Sequence, residues 1–584
     1  MNKKDLIPVI LLALLIPVWM FIDRSFIAPK LPKKTPPPVV QTTEAVTTVE
    51  TTTPTANTEL VETVESTIET TTLEVPVEEQ LATLENEKIR VQFTSLGAGI
   101  KSVTLFDFPE LNKENSDPVV LDFSAAPALA YEGLAGIRSR DPVNIQTTED
   151  GMSVIFSKAW NSGVVFQRTL TISDNYLLSV NDRFINKSSD PWNVPSFRIL
   201  TGSMENPVNM KAMKGISILG VDSYTVSDGI SYWGKELNSM YKAENKPESI
   251  DAIPEGMYEK KVDWVSTKNK FFAQILSPKE LIATMAVISS RDMNEKAIMP
   301  KSIAAALAYK PTIVSAGDTF ELNYTYFIGP KKYSILKEAG NKMEKVMEFE
   351  TTGAFSFMNW LMEPARRFLL WTLNKFHAVI PSYGISIILL TLLIRILFWP
   401  LTHKSTESMK RMQEIQPEIK ALQEKYKKDP QRMQQETMKL YKEKKANPMG
   451  GCLPMFVQIP VFIALFTVLR NAIELRYAGF LWITDLSQPE NLFAGSIPVI
   501  GSLNILPLLM SASMIWQQKL SSPGTAATPE QQQQQKMMMF MMPIMMLFFF
   551  YSMPSGLVLY WTTSNLLMIA QTGMRNIKKK AKEA

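Results

Sequence analysis

The sequence predicts an α-helical, multi-pass membrane protein with a large all-β domain between its first and second spans. Three observations predict it. Apolar runs of roughly spanning length lie at the N-terminus and in the last third of the chain. Between them the pattern changes to short runs rich in Val, Ile, Thr and Phe, separated by Asn, Asp, Gly and Ser. Lysine and arginine collect in the segments that six spans would leave on one side of the bilayer.

Hydrophobic residues make up 46% of the 584 residues and charged residues 20%. A soluble protein could share those totals, so their distribution decides. A net charge of +4 gives no polyelectrolyte character and points away from a dominant nucleic-acid role. The lone cysteine, Cys452, forms no intrachain disulfide, and a large exported domain can bury enough core to do without one. Cys452, His377 and His403 are too few and too far apart to suggest a structural zinc site.

The first span is read as an anchor over 1–24, built on the apolar run 6–22 between Lys3-Lys4 and Asp23-Arg24. A cleaved signal peptide would look similar. No small-x-small cleavage site follows, and Pro8 and Pro17 interrupt the run, so the reading is an uncleaved anchor. Residues 25–84, dominated by Thr, Val, Glu and Pro, read as an extended tether. The β domain is assigned to 85–345 on alternating runs such as Ile89-Arg90-Val91-Gln92-Phe93 and the stretch 164–172. It contains no nucleophile elbow, Walker A loop or histidine metal motif, so neither an enzyme nor a cofactor is expected. Residues 350–381, where Trp360, Phe368 and Trp371 mix with Arg366, Arg367 and Lys375, read as a helix lying in the membrane interface.

The remaining spans are placed at 382–402, 450–471, 497–516, 537–553 and 554–574. Between them lie a basic helical hairpin at 403–449, loops at 472–496 and 517–536, and a basic tail at 575–584. The hairpin, tail and N-terminus share the cytoplasmic side, which leaves the β domain on the other. The hairpin is expected to contact anionic lipid, ribosomal RNA or a targeting receptor. Gln531 to Gln535 reads as flexible low complexity.

Arg395 is the most informative residue. Counting from Gly384 at about 1.5 Å per residue, it falls roughly 16 Å into a hydrocarbon core of about 30 Å. An arginine there costs at least about 2.5 kcal/mol unless it faces a polar, hydrated cavity between helices. Thr391 shares its helix face. Gln458 is a second polar residue inside a span, between Pro454 and Pro460. Met537, Met541 and Met545 belong to a methionine-rich run suited to greeting varied apolar helices.

Three segments carry a family resemblance: Leu393 to Thr402 around Arg395 and Pro400, Asn447 to Pro460 around Gly450 and Gln458, and Pro554 to Leu566 around Tyr560 and Trp561. Trp264-Val265, Phe271-Phe272 and Gly329-Pro330-Lys331 extend it into the β domain. The chain resembles the YidC family of membrane insertases. The resemblance implies a β-supersandwich periplasmic domain and five core helices around a hydrophilic groove, open to cytoplasm and lipid and closed to the periplasm. It implies an insertase and chaperone in the bacterial inner membrane that uses no nucleotide. Its expected partners are nascent membrane proteins, the Sec translocon with its accessory subunits, the ribosome, a targeting receptor and the phospholipid bilayer. Arg395, Thr391, Gln458, Tyr560 and Trp561 match groove positions, and Trp561 stands where many relatives carry tyrosine. Met537, Met541 and Met545 would line the slide for the substrate helix. A secondary transporter and a membrane-anchored β domain acting on envelope carbohydrate remain as alternatives.

Overall fold

A computed structural model describes residues 78–583 except 124–126, 207–218, 234–248, 253–260, 281–282, 291–301, 352, 428, 445, 447–452, 498–500 and 522–528. The expected anchor at 1–24 and the tether as far as residue 77 lie outside the described residues.

Alternation of apolar and polar residues produces the β domain. Val164–Ile172 and Leu177–Asn186 each bury every second side chain and pair antiparallel. They belong to a nine-stranded sheet ordered Gly229–Tyr232, Gly220–Thr225, Trp264–Lys268, Phe272–Pro278, Thr319–Pro330, Leu177–Asn186, Val164–Ile172, Ser153–Ala159, Asn144–Thr147. A second sheet runs Ser249–Ala252, Thr284–Ser290, Ser302–Tyr309, Phe197–Leu200, Tyr131–Glu132, with Met204–Glu205 also paired to Ser302–Tyr309. Tyr131 and Phe197 of the second sheet meet Phe166, Phe184 and Phe320 of the first. The two sheets therefore share one apolar core. A further four-stranded sheet spans Leu81–Glu85 to Pro118–Asp122. Its first strand moves the domain boundary into the segment read as tether, because Leu81–Glu85 pairs with Ile89–Thr94 and buries Leu84.

Among the described residues the β domain buries two ion pairs, Lys268–Asp222 and, inaccessible to solvent, Arg168–Asp182. Arg168 and Asp182 are cross-strand partners, both inaccessible to solvent and 2.7 Å apart. Tyr131 and Tyr324 each donate a hydroxyl to Asp182 Oδ2 at 2.5 Å. Arg168 Nη1 donates to the carbonyls of Ala98 and Leu129. Every charge thus finds partners, the condition for tolerating such a pair in a core.

Among the described residues ten α-helices follow: α1 Tyr333–Glu338, α2 Asn359–Val379, α3 Tyr383–Leu397, α4 Trp399–Glu414, α5 Gln416–Lys425, α6 Pro430–Glu443, α7 Leu453–Asn471, α8 Ile505–Ser521, α9 Pro529–Phe550 and α10 Ser555–Glu583. Helix α2 falls in the segment read as interfacial. It buries Met362, Leu369, Leu370 and Leu373 and exposes Trp360, Leu361, Phe368 and Trp371. Helices α5 and α6 form a hairpin, closed by Ile415, Ile419, Leu440 and Ala446 and by a 2.7 Å Lys444–Glu418 ion pair. Pro417 lies in the first turn of α5, and Asp429 caps α6 by accepting from Arg432 N.

Among the described residues no helix is both long and apolar enough to cross a membrane. Local breakers divide the apolar runs. Helix α3 ends at Leu397 and α4 begins at Trp399, with Pro400 in its first turn. The fourth run opens as a β-hairpin, Leu492–Ile497 with Gly501–Leu503, and its helix begins only at Ile505. Gly495, Pro498 and Gly501 disfavour helix there. The glutamine run read as loose loop instead lies within α9, which starts with Pro529 at its first position. Glutamine is a good helix former, so this correction follows from propensity.

Candidate functional site

Helix α10 is the centre of the site. Tyr560 and Ser564 are four residues apart and so share a face. Helix α3 approaches that face with Arg395, and α7 approaches it with Gln458. Arg395 Nη2 donates to Ser564 Oγ at 2.6 Å and to Ser564 O at 2.9 Å. Gln458 Nε2 donates to the Tyr560 hydroxyl at 2.6 Å. Tyr560 is buried, whereas Arg395 and Gln458 are half-buried. Arg395 makes no ion pair among the described residues, and only Nη2 is bonded to protein. A cation held this way keeps donors for an acceptor that arrives from outside.

Trp561 is turned from Tyr560 toward an aromatic wall. Its ring meets Phe462 edge-on with centroids 5.0 Å apart, and Phe550 at 5.3 Å. Thr391 is buried, and its hydroxyl donates back to Ile387 O at 2.6 Å. It therefore flanks the polar stripe without joining the Arg395 bonds. Of the three methionines, Met541 is exposed, Met545 is half-buried, and the Met537 side chain lies outside the described residues. Among the described side chains of α9, Phe540, Met541, Ile544, Phe548 and Phe549 are exposed, so methionine is one member of a mixed apolar face.

Sequence reasoning missed Ser564 as the partner of Arg395. It also missed the buried bond from Asn565 Nδ2 to Ser513 Oγ, 3.0 Å, which joins α10 to α8. The signal was available in the run Thr562-Thr563-Ser564-Asn565 inside an apolar helix. No group of three or more His, Cys, Asp or Glu residues poised for a metal occurs among the described residues.

The profile of the YidC periplasmic domain matches residues 81–364, and that of the 60 kDa inner membrane protein family matches residues 375–582. The membrane protein insertase YidC of Pelobacter propionicus is 32% identical over 514 residues, covering 85% of this chain and 87% of that one. The chain belongs to the YidC family. The YidC of Syntrophus aciditrophicus is 31% identical over 510 residues, with 84% of each chain covered. A crystal structure of an active YidC insertase with its first transmembrane domain resolved is matched over 85% of this chain and 92% of that one, at 18% identity and a TM-score of 0.33. In this YidC-family chain the domain of facing sheets is the periplasmic domain, and Arg395, Ser564, Gln458 and Tyr560 lie in the helical region that follows it.

Proposed function

We propose that this chain is a membrane protein insertase that passes spanning segments and short hydrophilic tails of nascent proteins into the inner membrane through a groove lined by Arg395, Gln458, Tyr560, Trp561 and, at its flank, Thr391. The observation that carries the reading is the half-buried Arg395, without a carboxylate partner among the described residues and tethered only through Nη2 to Ser564. Acidic groups of an incoming tail gain from that charge. The substrate's apolar helix then leaves past α7 and α9, whose exposed Phe540, Met541, Ile544 and Phe548 suit apolar partners. Hydrophobic partitioning and the membrane potential, about 2.3 kcal/mol per charge per 100 mV, supply the driving force without a nucleotide.

The topology of this reading has six spans with both termini in the cytoplasm. The second span runs through α3 into α4. Phe398 N donates to Ile394 O and Thr402 N to Phe398 O, so helical bonding continues across the junction of α3 and α4. The apolar stretch 383–401 is then about 28 Å long. The charged α5–α6 hairpin is the cytoplasmic contact for the ribosome, a targeting receptor or anionic headgroups. In this reading the protein works alone or with the Sec translocon as partner.

Reconstitution into liposomes tests the reading. A single-spanning substrate with an acidic N-tail is scored by protease protection with wild type, Arg395→Lys, Arg395→Ala and Arg395→Glu. Wild-type protection that survives in the Lys variant and falls in the Glu variant supports an electrostatic groove. Equal loss in Lys and Glu discards charge attraction. No protection above empty liposomes discards autonomous insertion.

A further inference from the structure

The loop between α7 and α8 contains a turn that its own residues disfavour. Phe480 N donates to Ile483 O at 2.8 Å and Ile483 N to Phe480 O at 2.9 Å, which closes a two-residue hairpin on Leu481 and Trp482. Leu481 has φ of +54°, at the position that glycine usually fills in such a turn. Its side chain is nonetheless 76% exposed. Trp482 is also exposed, with its indole nitrogen turned inward to donate to Glu490 Oε1 at 2.7 Å. Twelve residues further on, Phe493 repeats the combination, with φ of +55° and 66% exposure. A bulky residue at positive φ is costly and persists only where something compensates. Packing within the chain does not compensate side chains that stand this far out.

The charges of the loop indicate what surrounds it. From 477 to 503 the only charged residues are Asp485 and Glu490, and both are buried. Asp485 accepts from Ser487 N and Gln488 Nε2. Glu490 accepts from Leu506 N at the start of α8 as well as from Trp482. The outer surface of this stretch thus carries apolar side chains and no charge of its own, a composition suited to lipid. Its neighbours fix its level. The Phe480 ring lies against Gly384 in the first turn of α3, and Gln488 O accepts from Ser555 N at 2.8 Å at the start of α10. Asn374 Nδ2 of α2 donates to Glu474 Oε1 at 3.4 Å. Toward the β domain, Lys270 Nζ donates to Ser487 O at 2.5 Å and Asn112 Nδ2 to Thr484 O at 2.9 Å. The turn therefore stands at the seam where α3, α8 and α10 begin and the periplasmic domain ends.

We propose that Leu481, Trp482 and Phe493 form an interfacial anchor that enters the periplasmic leaflet at the boundary between headgroups and acyl chains. The ligand is the phospholipid surface itself. Tryptophan suits that boundary because its ring is apolar and its N–H polar. Here Glu490 already satisfies the N–H, so the ring enters lipid without an unpaired donor. Removal of the Leu481 and Phe493 side chains from water offsets the two left-handed backbones. Because the same loop bonds the first turns of α8 and α10, the anchor sets how high those helix ends stand in the leaflet. The proposal rests on the reading of α3, α8 and α10 as spans, and holds whatever the chain inserts.

The experiment uses the full chain in a Cys452→Ser background, in nanodiscs of phosphatidylethanolamine and phosphatidylglycerol. A nitroxide is attached in turn at Leu481→Cys and Phe493→Cys, so that each position is read with the other anchor residue in place. Its collisions with oxygen, which concentrates in lipid, are compared with its collisions with a water-soluble nickel chelate. Val226→Cys, at a 74% exposed position in a turn of the β domain, is the water reference. Leu392→Cys and Leu566→Cys, at exposed positions on α3 and α10, are the lipid references. The oxygen-to-nickel ratio at both anchor positions is expected to be several-fold above the water reference. A ratio at either position equal to the water reference, with the lipid references high, overturns the anchor and leaves the spans intact. Low collision with both reagents also overturns it, because protein then covers the turn. Ratios at Leu392→Cys and Leu566→Cys as low as at Val226→Cys remove the span reading and the anchor with it.

Discussion

Gly384 and Phe480 pack so closely that a methyl group on Gly384 would stand 2.1 Å from Cγ of the phenylalanine ring. No alanine fits there without displacing the ring or the first turn of α3. Gly384→Ala is therefore expected to lower insertion strongly. Gly384→Ala with Phe480→Ala is expected to recover part of the loss, because the second change removes the colliding ring. Membrane-insertion assays on the two singles and the double check this. A double mutant worse than both singles would mean that the ring has a role besides contact with Gly384.

Replacing Asp182 by asparagine strips the charge that compensates Arg168 in the middle of the sandwich. An uncompensated buried charge costs about 3–5 kcal/mol. Asp182→Asn is expected to make the β domain protease-sensitive at a temperature where wild type is resistant. Tyr131→Phe removes one of two hydroxyls on the same carboxylate and should cost about 1 kcal/mol. Thermal unfolding followed by limited proteolysis ranks the two. A smaller loss for Asp182→Asn than for Tyr131→Phe would contradict the buried pair.

What could be read from the sequence follows from how unusual each residue is in its surroundings. Arg395 and Gln458 stand out because a charge or amide within an apolar run is costly. The sheets were readable because Val164–Ile172 and Leu177–Asn186 alternate without interruption. Ser564 was not, since a hydroxyl inside a helix usually bonds its own backbone, as those of Thr391 and Thr562 do. The Lys270–Ser487 contact joins residues 217 apart in sequence, and no local pattern encodes such a pairing. The start of α8 was misplaced because hydropathy counts apolar residues and ignores Gly495 and Gly501. The Gln531 to Gln535 helix was missed because composition outweighed propensity.

Lys331 gives the β domain a pH dependence with a defined sign. Its ammonium is buried, with one hydrogen bond of 3.4 Å to Asn269 O. Desolvation, reinforced by the neighbouring Lys268 charge, pushes it down to about 7. The unfolded chain then binds more protons than the folded one between about pH 7 and the ordinary lysine value near 10.4. Stability contributed by this group therefore rises with pH across that window and is lowest below 7. Asp222, pushed up to about 6 chiefly by desolvation, acts in the opposite sense but below that window. Lys331→Met is expected to raise the unfolding temperature at pH 6.5 by on the order of 5 °C and to flatten its rise toward pH 9.5. Calorimetry at the two pH values decides. An unaltered slope in the variant would assign the pH dependence to another group.

Gln458 and Tyr560 offer a test of whether α7 and α10 are joined by a bond or merely adjacent. Gln458→Leu leaves the buried Tyr560 hydroxyl without its donor. Tyr560→Phe leaves the half-buried amide without that acceptor but within reach of water. The first change should cost about 1–3 kcal/mol and the second less. The double variant should cost less than the sum, because removing both partners leaves no orphaned group. Additive losses in thermal unfolding would mean that the 2.6 Å bond contributes nothing. Coupling in stability accompanied by coupling in insertion would mean that the bond helps to hold the polar stripe against which Arg395 is set. Trp561, packed between Phe462 and Phe550, is the internal control. Trp561→Tyr keeps an aromatic ring in that wall and should leave the Gln458–Tyr560 coupling unchanged.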